Sequence, residues 1–387
     1  MECIPIDIRL EDCITCFGRL LIIIMNVENI QLLKEYYNRY GGFWRFPEML
    51  DYCYLVNPYF NRSKIIDEMQ NFFRVLVSEY PSGMGVNSKL ASECWGIKLE
   101  YIIPGNGAAE LIKVLMENLE GKIGVTRPTF EEYPNRMPDE RVETFVPQKQ
   151  DFRYTAEDLI EYFGAHPVDS LLLINPDNPT GNFVSVEGIH KLAAWCEEQG
   201  IRFILDESFI DFSVGYMENT FLNNDLLEKY PHMAVMKSIS KSYGVPGLRL
   251  GILCSADTEL ISKMKKQVSI WNINSFAEFF MQIYPNYRND YKKACDQFIQ
   301  ARADFEKELS EIPFIHVMPS QANYFFLEVL PPYNAIELCS VLLKEHNILA
   351  SACLAKKGIE SNKYIRIAVR SHGDNEKMIK ALKSLIQ

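Results

Sequence analysis

The sequence predicts an α/β protein, with a mainly parallel sheet in a large domain and a second, smaller α/β domain. Three observations predict it. Between residues 101 and 254 short apolar runs alternate with longer amphipathic ones, the pattern of parallel strands joined by covering helices. After Ile283 that alternation gives way to a long polar-rich helix and two well-separated strands. The chain of 387 residues, 48% apolar and 24% charged, is long enough to bury two cores.

In chain order the expected strands of the large sheet are Tyr101–Ile103, Lys122–Thr126, Val142–Pro147, Ser170–Asn175, Arg202–Asp206, Met233–Lys237 and Leu250–Cys254. Between them Ala108, Leu111, Ile112, Leu115, Met116 and Leu119 share one helical face, and Val186, Ile189, Leu192, Ala193 and Cys196 share another. A helix over about 290–309 and strands near Tyr324–Leu330 and Tyr364–Val369 build the second unit. The expected division is a small domain of 25–75 and 286–387 around a large domain of 76–285. Residues 1–24 are read as an N-terminal extension.

Composition narrows the function. A net charge of −11, from 51 acidic and 40 basic residues, disfavours a nucleic-acid surface but leaves room for one small basic pocket. The apolar run Leu20–Met25 is far shorter than the roughly 20 residues that span a bilayer, so no membrane partner is expected. Ten cysteines are spread along the chain, and Cys13-x-x-Cys16 has no second pair to complete a metal site. The expectation is free thiols, no metal and a reducing cytoplasm.

Four loops at the ends of expected strands carry the chemistry, where open α/β sheets bind ligands. Pro104-Gly105-Asn106-Gly107-Ala108-Ala109 opens a helix whose free N–H groups suit a phosphate, although a plain tight turn reads equally well. Asn175-Pro176-Asp177-Asn178-Pro179-Thr180-Gly181 is more elaborate than any turn requires, and Asn178 offers an amide donor. Asp206 ends an apolar strand, where an isolated carboxylate is costly without a cationic partner; a solvated strand-end acid is the plain alternative. In Ser238-Ile239-Ser240-Lys241-Ser242, hydroxyls flank a lysine able to form an imine, and Arg249 follows as a fork for phosphate oxygens. Lys237 is the rival lysine, ranked lower because it falls inside the strand.

Together these strings resemble the class I/II aminotransferase superfamily, the fold-type I enzymes of pyridoxal 5'-phosphate, from about Tyr40 to the C-terminus. The resemblance implies that Lys241 binds the cofactor as a Schiff base, Asp206 pairs with the pyridine nitrogen and Asn178 bonds the phenolic oxygen. It assigns the phosphate to Ser238, Ser240, Arg249 and the amides of Ala108 and Ala109, and ring stacking to Phe130. Tyr80 would reach the phosphate of a neighbouring subunit, which implies a homodimer with shared sites. Within the superfamily the sequence is similar to the histidinol-phosphate aminotransferase and threonine-phosphate decarboxylase branch, and to the aminotransferase-like half of nucleotidyltransferase fusion proteins. Phe209 in place of a tyrosine, Trp271-Asn272-Ile273-Asn274 and Tyr40-Gly41-Gly42 favour the decarboxylase side.

Substrate contacts are expected from Arg366, Tyr40, Gly42, Asn57 and Trp271. Tyr40 replaces a family histidine. Ser351 stands where the decarboxylases carry an arginine, and Arg45, Lys356 or Lys357 would have to restore that charge unless they are plain surface residues. The function implied is α-decarboxylation of a small anionic amino acid of the phosphoserine, phosphothreonine or phosphonoalanine type. Transamination of a similar substrate is the alternative, and non-catalytic cofactor binding a remote one.

Overall fold

The computed structural model describes residues 27–60, 63–149, 151–354, 356–359 and 361–386. The expected extension 1–24 and the Cys13/Cys16 pair lie outside the described residues. Seven strands form the large sheet in the order Ile102–Asn106, Leu250–Cys254, Met233–Ser238, Arg202–Asp206, Ser170–Ile174, Ile123–Thr126, Val142–Phe145. Most are buried throughout, which explains their unbroken apolar runs. The fold is the α/β architecture that the strand–helix alternation predicts, and it is the fold-type I architecture that the resemblance implies.

The sheet is mixed. Leu250–Cys254 runs antiparallel to both neighbours, so Ile102–Asn106 regains the direction of the remaining strands. Asn106, Ile174, Asp206 and Ser238 therefore end at one edge of the sheet. Apolar patterning cannot reveal this single reversal, because a strand buried on both faces reads the same in either direction. The expected amphipathic helices form at Gly107–Glu117 and Val186–Gln199.

A second sheet, all antiparallel, has the order Ser351–Ala352, Tyr364–Ala368, Tyr324–Val329, Ile315–Val317. Leu50–Asp51 pairs in parallel with Ile348–Leu349, and Leu33 of the helix over 27–37 is buried in the same core. These short strands escaped the sequence reading. The helix Ser63–Ser78 instead packs on Ser275–Ile283, with Phe72–Phe279 and Phe73–Phe276 ring centroids 5.1 and 5.8 Å apart, so the expected division at 75 falls inside a helix. Among the described residues no helix is long and apolar enough to cross a membrane.

The helix Arg288–Leu309 joins the two sheets through a buried arginine. Arg302 donates to the carbonyls of Phe212 at 2.5 Å and Ala322 at 3.2 Å, and burial lowers its pKa to about 10. Replacing it leaves both carbonyls buried without donors. Arg302→Leu is expected to destabilise the protein by about 1–3 kcal/mol per orphaned carbonyl, read as a lower urea midpoint; an unchanged midpoint would show that the clamp contributes nothing.

Candidate active site

Lys241 sits on a one-turn helix, Ile239–Ser242, that continues directly from the strand ending at Ser238. Its main-chain oxygen accepts from the Asn57 N–H at 2.9 Å, and Asn57 Nδ2 is buried without a partner. The Lys241 ammonium lies 4.0 Å from the centroid of the Phe209 ring and 6.0 Å from that of Phe130. Burial lowers its pKa to about 8; Arg366 and Arg249 push the same way, and Asp206 opposes them. This lysine is therefore a neutral nucleophile at mildly alkaline pH. Lys237 is occupied elsewhere: it is buried against Asp211 at 2.6 Å, and Ser242 Oγ donates to the other Asp211 oxygen at 2.7 Å.

Asp206 is held from two sides. The Ser208 N–H donates to Oδ1 at 2.8 Å, and the Tyr133 hydroxyl donates to Oδ2 at 2.7 Å. Burial, reinforced by the Asp206 charge, pushes the Tyr133 phenol well above its usual range, so it remains a donor. Tyr133 was not foreseen; its only signal in the sequence is an aromatic residue three positions after Phe130. Asn178 Oδ1 accepts from Arg366 Nη1 at 2.8 Å, which turns the asparagine's N–H groups away from the arginine. Arg366 Nη2 donates to the Cys53 carbonyl at 2.7 Å, a partner that no sequence pattern could indicate.

The donors expected to meet an anion also converge. The first-turn N–H groups of the helix Gly107–Glu117, including those of Ala108 and Ala109, have no intrahelical acceptors. Gly251 lets the neighbouring strand approach them: a Cβ there would lie 2.5 Å from the Ala108 nitrogen. A Cβ on Gly107 would lie 2.4 Å from the Arg249 guanidinium. Arg249 is exposed, in the left-handed region at φ 55°, and Ser240 Oγ is buried without a partner. Two free amides and a guanidinium brought together by the close approaches at Gly107 and Gly251, with an orphaned hydroxyl on the neighbouring one-turn helix, fit a phosphate group. With a phosphate there, Lys241, Asp206, Asn178 and Phe130 fit an aldehyde, a pyridinium nitrogen, a phenolic oxygen and an aromatic face.

Other expected residues lie further out. Tyr80 and Trp271 pack on each other at the surface as tilted rings, with centroids 4.5 Å apart, and the adjacent Asn272 donates to Glu110 on the phosphate-side helix at 2.8 Å. Tyr40 is 83% exposed, on a turn where Tyr40, Gly41 and Gly42 all have positive φ. Of the three basic residues weighed against Ser351, Arg45 packs on Trp44, Lys357 pairs with Asp139 at 3.0 Å on the surface, and Lys356 is turned inward onto the Thr129 carbonyl at 2.9 Å.

Comparison with known proteins identifies the family and agrees with the fold. A family model described as aminotransferase class I and II matches residues 88–385. The CMP-5'-(3-aminopropyl)phosphonate synthase of Streptomyces rubellomurinus is 31% identical over 347 residues, which are 90% of this chain but 54% of that protein, so the chain spans about half its length. The L-serine phosphate decarboxylase of Sulfurospirillum multivorans is 31% identical over 352 residues, 87% of this chain and 88% of that one. Among solved structures, a decarboxylase from Sulfurospirillum multivorans superposes with a TM-score of 0.83 at 29% identity, covering 95% of this chain and 99% of that one. The histidinol-phosphate aminotransferase from Clostridium acetobutylicum gives 0.77 at 26% identity, over 87% and 99%.

The lowered lysine pKa has a measurable sign. The amine is protonated below about pH 8 and neutral above it, so the rate at which apoprotein takes up pyridoxal phosphate is expected to rise through pH about 8 and then level off. Lys241→Ala should abolish the lysine-linked absorbance, and Lys237→Met should keep it while lowering stability. A rate still climbing towards pH 10.5, the ordinary lysine value, would show that Lys241 is not perturbed.

Proposed function

We propose, from the premise that this chain belongs to the class I and II aminotransferase family, that it removes the α-carboxylate of a small phospho- or phosphono-amino acid. The family uses pyridoxal 5'-phosphate. The observation that carries the reading is the similarity, over nearly the whole of both chains, to an L-serine phosphate decarboxylase. It is supported by the phenyl ring of Phe209 beside Lys241, at a position where the aminotransferase pattern has a tyrosine hydroxyl.

When bound, the cofactor supplies an electron sink for a bond broken at the amino acid's Cα. Ser238, Ser240, Arg249 and the Ala108 and Ala109 amides would hold its phosphate, and Phe130 its ring face. Asp206, fixed as an acceptor by Tyr133 and Ser208, would hold a proton on the ring nitrogen. Asn178 would donate to the phenolic oxygen, with its orientation set by Arg366. Arg366 would bind a substrate anion and so decide which Cα bond stands perpendicular to the ring. Lys241 would attach the cofactor and deliver the proton that replaces the lost carboxylate.

The unit is a homodimer. Ile66, Phe73 and Val77 on the helix Ser63–Ser78, with Tyr80, Ile270 and Trp271, leave apolar side chains exposed on this chain. A second copy covering them would bring Tyr80 and Trp271 to a neighbouring site and remove the exposed patch from water. Sedimentation is expected to give a dimer, and Ile270→Asp to shift it towards monomer with loss of turnover. A fully active monomer would overturn the shared site.

Product analysis decides the reaction. Holoenzyme with O-phospho-L-serine should release CO2 and phosphoethanolamine without a 2-oxoacid acceptor. Asp206→Asn should retain the cofactor but lose most of that rate, because an amide cannot hold the ring proton. An oxoacid formed only when 2-oxoglutarate is added, with no CO2, would identify a transaminase instead.

A further inference from the structure

Beside Arg366 lies a group of polar atoms to which the proposed reaction assigns no task. Ser351 stands directly opposite Arg366 in the antiparallel pair Ser351–Ala352 and Tyr364–Ala368, so the side chain next to the guanidinium carries no charge. Arg366 Nε is buried without a partner, although both terminal nitrogens are bonded. Thr129 Oγ1 is likewise buried and unpartnered. The Lys356 ammonium donates to the carbonyl of that same threonine, one residue from Phe130, and lies close enough to Arg366 for the two cations to repel.

Lys356 has no ion pair among the described residues. Its nearby acids are each bonded elsewhere through one oxygen, Glu131 to Arg127 at 3.3 Å and Asp177 to the Thr180 hydroxyl at 2.5 Å, while the other oxygen of each is buried without a partner. Burial lowers its pKa, as expected of an ammonium with one carbonyl partner and two spare N–H groups. Its position is not that of a free surface side chain. Two residues on, Gly358 has φ +89°, and a Cβ there would lie 2.9 Å from the main-chain carbon of Arg127 and the nitrogen of Pro128. The turn carrying Lys356 is thus pressed onto the backbone that leads to Thr129 and Phe130.

We propose that Lys356 is the specificity-determining cation for the substrate's second anionic group, so that Lys356 and Arg366 together select a substrate bearing a carboxylate and a phosphoryl or phosphonyl group. Lys356 thereby supplies the charge that Ser351 lacks, while Lys357 and Arg45, engaged at the surface, do not. This rests on the phospho-amino acid reading above, deepened to the residue that recognises the phosphorus-bearing end.

The test is equilibrium binding to holoenzyme by calorimetry, using 3-phosphonopropionate and butyrate, which lack an amino group and cannot turn over. Lys356→Gln keeps a donor for the Thr129 carbonyl and removes the charge. It should weaken 3-phosphonopropionate about ten- to a hundredfold, as expected for one charge-assisted bond, and leave butyrate and cofactor content unchanged. Lys356→Arg should restore most of the affinity. Ser351→Arg in the Lys356→Gln background should recover the two-anion ligand selectively, and Lys356→Met, which also removes the charge, decides the matter if Lys356→Gln fails to fold. Equal loss of both ligands, or no loss of either, would overturn the proposal. Because no bond is broken in these measurements, they stand whether the product assay returns CO2 or an oxoacid.

Discussion

The close approach of Gly251 to Ala108 sets the distance on which the rest of the site depends. With a Cβ only 2.5 Å from the Ala108 nitrogen, nothing but glycine allows the strand Leu250–Cys254 to lie against the start of the helix Gly107–Glu117. That strand is the reversed member of the sheet, and it carries Arg249 at its entrance. Its other neighbour ends at Ser238, where the one-turn helix of Lys241 begins. One backbone contact therefore brings helix amides, a guanidinium and a lysine into the same space. A methyl group at 251 would separate them by moving main chain, which is far costlier than moving a side chain.

Charge balance organises that same space. Arg366 and Arg249 both act on Lys241, and Asp206 is the acid that opposes them there. Such a set favours a ligand that brings negative charge and a protonated ring together. The same arithmetic explains why Tyr133 matters: its hydroxyl stays protonated in a dry environment and fixes the direction of the single acid without neutralising it.

What was legible in the sequence was local. Lys241, Asp206, Asn178 and the Gly107-Ala108-Ala109 turn each lie in a short string at a strand end, and the parallel sheet brings strand ends together without further information. What was illegible was contact between distant segments. Nothing in the sequence around Cys53 announces that its carbonyl accepts from Arg366, and the bridging bonds of Arg302 look from sequence like any polar residue on a long helix. Lys356 and Lys357 are adjacent and chemically identical. Only the tertiary placement of their turn sends one inward and the other to Asp139. The reversed direction of the strand Leu250–Cys254 and the four short strands of two or three residues were missed because patterning carries no direction and needs length.

The bond from Arg366 to Asn178 has a consequence beyond holding two side chains. A primary amide has two ends of similar shape, and here the guanidinium dictates which end faces it. The direction of the Asn178 amide is thus a record of how Arg366 is engaged. A ligand that draws the guanidinium towards itself alters the field at an amide it never touches, so the Asn178 side-chain resonance serves as an internal reporter of occupancy at the neighbouring arginine.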